Sequence, residues 1–158
     1  MSRYDLEGIF SDLERHLKAN LGTAITALNT EKNDSITLVD IEQTAYFCQY
    51  LGAAIANFDN FLFYGVDDMV TNPVGPGSVK IYSIHVVVVL SDSGNDPYLV
   101  KRLLRYQRAL YTLLERDWAA VNKSIQFKLS GLAPIPLQLL NRSKPDRAIG
   151  VALTVAID

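Results

Sequence analysis

Residues that carry chemistry are scarce in this chain. Its 158 residues include one cysteine, Cys48, and two histidines, His16 and His85. A lone cysteine excludes an internal disulfide, and with the two imidazoles it makes a poor zinc set. A reducing compartment is allowed. An excess of either charge is missing too: 15 lysines and arginines against 17 aspartates and glutamates leave a formal charge of -2 and a pI near 5.6. Counterion release needs a concentrated basic surface, so no specific nucleic-acid binding is expected. No run approaches the roughly 20 apolar residues of a membrane span. The N-terminal stretch Met1-Ser2-Arg3-Tyr4-Asp5-Leu6-Glu7 places acids where a signal peptide would be apolar. The expectation is a protein soluble where it is made, without a membrane partner.

Catalytic and cofactor motifs are equally thin. Gly75-Pro76-Gly77 has neither the following helix nor the Lys-Ser/Thr end of a phosphate loop. Asp92-Ser93-Gly94-Asn95-Asp96 is oxygen-rich but lacks the spacing and closing glutamate of a calcium hand, and a turn leading into a helix cap accounts for it. Asp67 and Asp68 are adjacent, and neighbouring strand residues point apart rather than converge. Cys48 lies among aromatics, in Tyr46-Phe47-Cys48-Gln49-Tyr50, where a cysteine serves as core filler. His85 sits inside a long apolar strand with no nucleophile beside it to activate. No catalytic residue, metal or cofactor is expected.

What is present is a globular composition, 49% hydrophobic and 20% charged, long enough for one core. Leu6, Ile9, Phe10, Leu13, Leu17 and Leu21 recur at intervals of three and four, which predicts an amphipathic helix. It weakens at Asn20 to Gly22, after which Ala24, Ile25 and Leu28 can carry a short second helix to Asn29. Asn29 to Ser35 is a polar turn. Ile36 to Val39 favours an extended piece, and Ala45 to Ala56 mixes helix formers with aromatics. Phe58 to Val66 reads as a strand, followed by Asp67-Asp68 and the breakers Asn72-Pro73-Val74-Gly75-Pro76-Gly77. The strand from Val79 to Leu90 returns beside it, so a connection of about a dozen residues joins the two, longer than a hairpin needs.

The second half of that return strand, Val86 to Leu90, is apolar on both faces, whereas a half-exposed strand alternates. Helices of the same chain can cover one side; a second subunit is a natural cover for the other. A second helix starts at Asp96-Pro97 and carries Leu99, Leu103, Tyr106, Leu110 and Leu113 as its apolar stripe. Lys101, Arg105 and Arg108 form a basic face with Thr112, either a solvated side or a pairing surface for acids of a neighbour. Ile125, Phe127 and Leu129 alternate with polar residues as a strand. In the last strand the odd positions Ile149 to Ile157 are large and apolar. The even ones, Ala148, Gly150, Ala152, Thr154 and Ala156, are small enough for another element to approach closely. The order predicts a single α+β domain over residues 1–158, with helices packed on a mostly antiparallel sheet.

Several stretches together resemble the tail-terminator and tail-completion proteins of tailed bacteriophages, a family of small neck proteins. They are the amphipathic N-terminal helix, Leu38-Val39-Asp40-Ile41 leading to Tyr50-Leu51-Gly52-Ala53, the strand Phe61-Leu62-Phe63-Tyr64, and the strand Ile81 to Leu90. Arg105-Tyr106-Gln107-Arg108-Ala109-Leu110 and the terminal strand Arg147 to Ile157 complete the set. The resemblance implies a structural virion protein, made in the bacterial cytoplasm, whose homohexameric ring closes the tail tube. Its partners would be the tail tube protein and a neck connector or stopper. Val86, Val87, Val88, Ala148, Gly150, Ala152 and Ala156 are then candidates for ring contact or core. Asp67, Asp68, Asn72, Pro73, Gly75, Pro76 and Gly77 are candidates for axial contact. Another neck protein, a head-completion adaptor or stopper, fits the same features, and a small soluble enzyme is the competing class.

Overall fold

The computed structural model describes residues 6–48, 58–71, 80–91, 96–118, 126–133 and 146–157. Helix α1 spans Leu6–Lys32 and buries Ile9, Phe10, Leu13, Leu17, Leu21, Ile25 and Leu28, the side that the three-and-four spacing marks out. It does not break at Asn20 to Gly22. The Asn20 amide donates to the His16 carbonyl one turn back, at 2.9 Å. Gly22 is a site of close approach: a Cβ there would lie 2.6 Å from an Asp40 carboxylate oxygen. The helix stops at Asn33, whose φ of 44° and N–H bond to the Asn29 carbonyl at 3.0 Å make a left-handed cap.

An extended strap follows. Ile36, Leu38 and Ile41 are buried, while Thr37, Val39 and Asp40 are exposed. The Asn29 side chain grips both polar groups of Leu38, accepting from its N–H at 2.8 Å and donating to its carbonyl at 3.0 Å. Tyr106 donates its hydroxyl to the Val39 carbonyl from the other helix. The strap therefore makes its backbone bonds with side chains rather than with a ladder. It ends in strand β1, Tyr46–Cys48, where the composition of Ala45 to Ala56 had suggested helix formers; residues 49–57 lie outside the described residues.

Strands β2 (Asn60–Thr71), β3 (Lys80–Ser91), β4 (Gln126–Ala133) and β5 (Asp146–Ile157) complete a five-stranded sheet in the order β1-β2-β3-β5-β4. Among the described residues, only β1, parallel to β2, departs from antiparallel pairing. The domain is α+β, as expected, and β2 is longer than the sequence pattern marked. β2 continues through Asp67 and Asp68 to Thr71, with a register slip between Val66 and Asp68. A bulge absorbs an extra residue without ending a strand, so the pair of acids is no boundary. The connection to β3 is thus residues 72–79, shorter than expected.

β3 lies at the centre, and Val86 to Leu90 are buried on both of its faces within one chain. The Phe10 and Tyr64 rings meet at 5.3 Å, which sets α1 on the face of Leu62 and Tyr64. Alternation puts Phe61, Phe63 and His85 on the opposite face, where Phe47 contacts Phe58 and Phe61, and Phe63 contacts Phe61 and His85. Helix α2, Leu99–Thr112, runs into a π-helical turn, Leu113–Trp118. Its stripe of Leu99, Leu103, Tyr106, Leu110 and Leu113 is buried, and its nearest strand is β5. There the buried Gln107 side chain donates to the Gly150 carbonyl at 2.9 Å. A Cβ at Gly150 would sit 2.6 Å from the Val86 carbonyl oxygen and 2.9 Å from a Val87 methyl, so only glycine fits.

Candidate functional site

Of the residues expected as ring contact or core, most are buried within a single chain. Val86, Val87 and Val88 are 0% exposed, Ala148 is 8% exposed and Gly150 is buried, all inside a single chain. They are core, and no other copy is needed to cover them. Ala152 is half-buried, and Ala156 pairs with Ile81 and Gln126 in the sheet. Of the expected axial loop, Asp67 and Asp68 belong to β2, while Asn72, Pro73, Gly75, Pro76 and Gly77 lie outside the described residues.

The basic face of α2 also finds its partners within the chain. Arg105 donates to both Asp34 oxygens, at 2.6 and 3.0 Å, and to the Ile36 carbonyl. Arg108 forks onto Glu31 at 2.9 and 3.0 Å. These bidentate pairs tie the end of α1 to α2, in the planar geometry that favours arginine over lysine. The Arg105 hydrogen bond, against an opposing cost of desolvation, holds the Asp34 carboxyl at about 2. Arg105 is correspondingly pushed up by Asp34. Lys101 remains exposed on that side of the helix.

Several titratable groups are engaged structurally, while the buried Tyr46 hydroxyl has no hydrogen-bond partner. His16 places Nε2 3.4 Å from the Leu113 carbonyl and Nδ1 3.2 Å from the Asn20 amide, bridging α1 and the π-helical turn. His85 sets its ring edgewise against Phe63 at 5.6 Å. Cys48 is exposed, contrary to its aromatic neighbours in sequence, at the end of β1 on the face it shares with the buried Tyr46. Desolvation, then the Glu14 charge, pushes its thiol up, away from the reactive thiolate. Tyr46 and Tyr64 are likewise raised, first by burial. Asp96 sits two residues ahead of the Tyr98 cap: it accepts from the Tyr98 N–H at 2.9 Å and from Arg102 at 2.6 Å. Among the described residues, no group of three or more His, Cys, Asp or Glu could hold a metal ion.

Among the concavities that the described residues line are two beside the strap. One, of about 570 Å³, lies between the strap, the start of β2, the end of β3 and the first turns of α2. Its Arg102 is paired with Asp96, and its Tyr106 hydroxyl is committed to the strap. The other, about 670 Å³, runs along α1 beside the strap, floored by Ala19, Gly22, Thr23, Thr26 and Ala27. The surface also carries apolar residues outside the finished core: Val100 is 68% exposed, Leu104 52% and Tyr111 36%. At roughly 3.6 residues per turn these three project from one side of α2. The sequence reading of α2 followed its buried stripe and passed over this second one, although the spacing of 100, 104 and 111 was its signal. No helix among the described residues is long and apolar enough to cross a membrane. No protein-family model and no curated protein matches the chain.

Proposed function

We propose that this protein is a structural subunit of a tailed bacteriophage virion, of the tail-terminator kind. It assembles as a homohexameric ring that closes the tail tube and joins it to the head and neck. Its partners in that reading are the tail tube protein and a neck connector or stopper. The observation that carries the assembly half is the Val100, Leu104 and Tyr111 side of α2, an apolar surface left outside a core that is already closed. The phage half comes from the family resemblance of the sequence, which spans α1, the strap, β2, β3, α2 and β5. In the cleft, Asp96 and the Tyr106 hydroxyl spend hydrogen bonds on the fold, while Arg102 pairs with Asp96 through one guanidinium nitrogen and leaves its buried Nε without a partner.

Native mass spectrometry and negative-stain imaging of the purified protein test the reading. A closed ring of six copies is expected, alone or on isolated tail tubes. A chain that stays monomeric both in concentrated solution and in the presence of tubes overturns it.

A further inference from the structure

The strap presents its two sides to different concavities. Leu38 and Asp40 line the one along α1, whereas Thr37 and Val39 line the cleft of about 570 Å³ at the head of α2. This is the alternation of an extended chain, in which the N–H and C=O of successive residues point to opposite sides. Towards α1 the backbone is satisfied, since Asn29 takes both polar groups of Leu38. Towards the cleft it is open. The Tyr106 hydroxyl takes the Val39 carbonyl, but the Thr37 N–H and C=O and the Val39 N–H make no hydrogen bond with the described residues. From α2, Arg102 gives Nη1 to Asp96 and leaves its buried Nε without a partner. We propose that the cleft docks an extended segment of a partner protein, paired with Thr37 and Val39 as one strand pairs with another.

An extended chain is the ligand that these groups jointly describe. Thr37 and Val39 call for an acceptor, a donor and a second acceptor at the spacing of a strand, which a peptide backbone repeats. The wall formed by Leu99, Arg102 and Tyr106 runs for about 10 Å along α2, the length of roughly three extended residues. The Arg102 side chain is 35% exposed, so a small rotation presents Nε to a carbonyl on the segment's far side and offsets the cost of burying that donor. Charge narrows the class further. The lining sets the carboxylates of Asp59 and Asp96 against one guanidinium, which favours a segment with a basic side chain over an acidic one. Leu99, Arg102 and Tyr106 also lie on a different side of α2 from Val100, Leu104 and Tyr111. The docking therefore neither needs nor blocks the apolar side assigned to assembly, and it goes beyond the ring reading.

A random-peptide display library panned against the purified protein supplies the probes. Enrichment of peptides with a basic residue is expected, and each is then synthesised with single backbone N-methyl groups walked along it. Strand pairing gives a period of two: methylation weakens binding about tenfold where the N–H faces the strap and little at the alternate positions. These probes test the unaltered protein. Arg102→Leu should weaken the unmethylated peptide by a similar factor with circular dichroism unchanged, and bound peptide should protect the Thr37 and Val39 amides from hydrogen exchange. Failure to enrich any peptide over the empty support, or methylation losses without the period of two, overturns the proposal. If the protein alone protects the same two amides as its concentration rises, the occupant is a second copy and the partner segment is overturned. Ring formation is read separately, by native mass, so the two readings can fail independently.

Discussion

Arg105 shows how a surface residue can be spent on the fold. Its side chain retains 11% of its exposure and meets a carboxylate 71 positions away. Because the guanidinium holds Asp34 at about 2, below its ordinary 3.8, the pair favours the folded chain wherever Asp34 is ionised in both states. The contribution is complete above about pH 4 and is lost as the pH falls towards 2, where the folded-state carboxyl takes up its proton. Asp34→Asn should therefore lower the melting temperature at pH 7 and flatten its fall between pH 4 and 2. Melting curves across that range check it; an unchanged acid slope would mean that the pair contributes nothing measurable. The helical spacing of Lys101, Arg105 and Arg108 already placed them on one face. Their partners were not legible, because helix periodicity says nothing about which distant segment will lie alongside. Glycine was misread for a related reason. Gly22 looked like a weak point of the helix, yet α1 runs through it, and the Asp40 carboxylate lies over it, a contact invisible from α1 alone.

At the scale of elements, the strap between α1 and β1 is the part that local pattern could not resolve. α2, β3 and β5 announce themselves through long apolar periods of 3.6 or 2, and β2 does so for its first half. The strap has only Ile36, Leu38 and Ile41 to bury, too few to fix its path. Its course is set by side chains from both helices, Asn29 in α1 and Arg105 and Tyr106 in α2. Asn29→Ala should cost about 1–3 kcal/mol, since it leaves both polar groups of the buried Leu38 without their partner. Asn29→Asp keeps the acceptor for the Leu38 N–H and loses the donor to its carbonyl, so it should fall between Ala and the parent. Urea denaturation of the three proteins decides this. Equal midpoints would show that water replaces the asparagine and that the strap is held by its apolar residues.

For the molecule as a whole, the consequential difference between sequence and structure concerns what covers β3. A strand apolar on both faces invited a second subunit as its cover, but the chain's own elements bury Val86 to Leu90 completely or nearly so. One buried cluster joins residues of α1, the strap, β1, β2, β3, α2, the π-helical turn and β5. Among the described residues no subset of these elements shows a separate core to retain when the rest is lost, so unfolding should be all-or-none. Trp118, the one tryptophan, ends the π-helical turn, far in sequence from the helix that begins the fold. Its fluorescence reports on that end of α2, whereas far-ultraviolet circular dichroism reports on all helices and strands. The two signals should give the same urea midpoint, below the concentration at which copies associate. A tryptophan transition that precedes the loss of ellipticity would divide the chain into two cooperative units, with α2 and its turn detaching from a sheet that survives without them. In that event the exposed apolar side of α2 would belong to a movable arm, and the ring contact would have to be sought on the sheet.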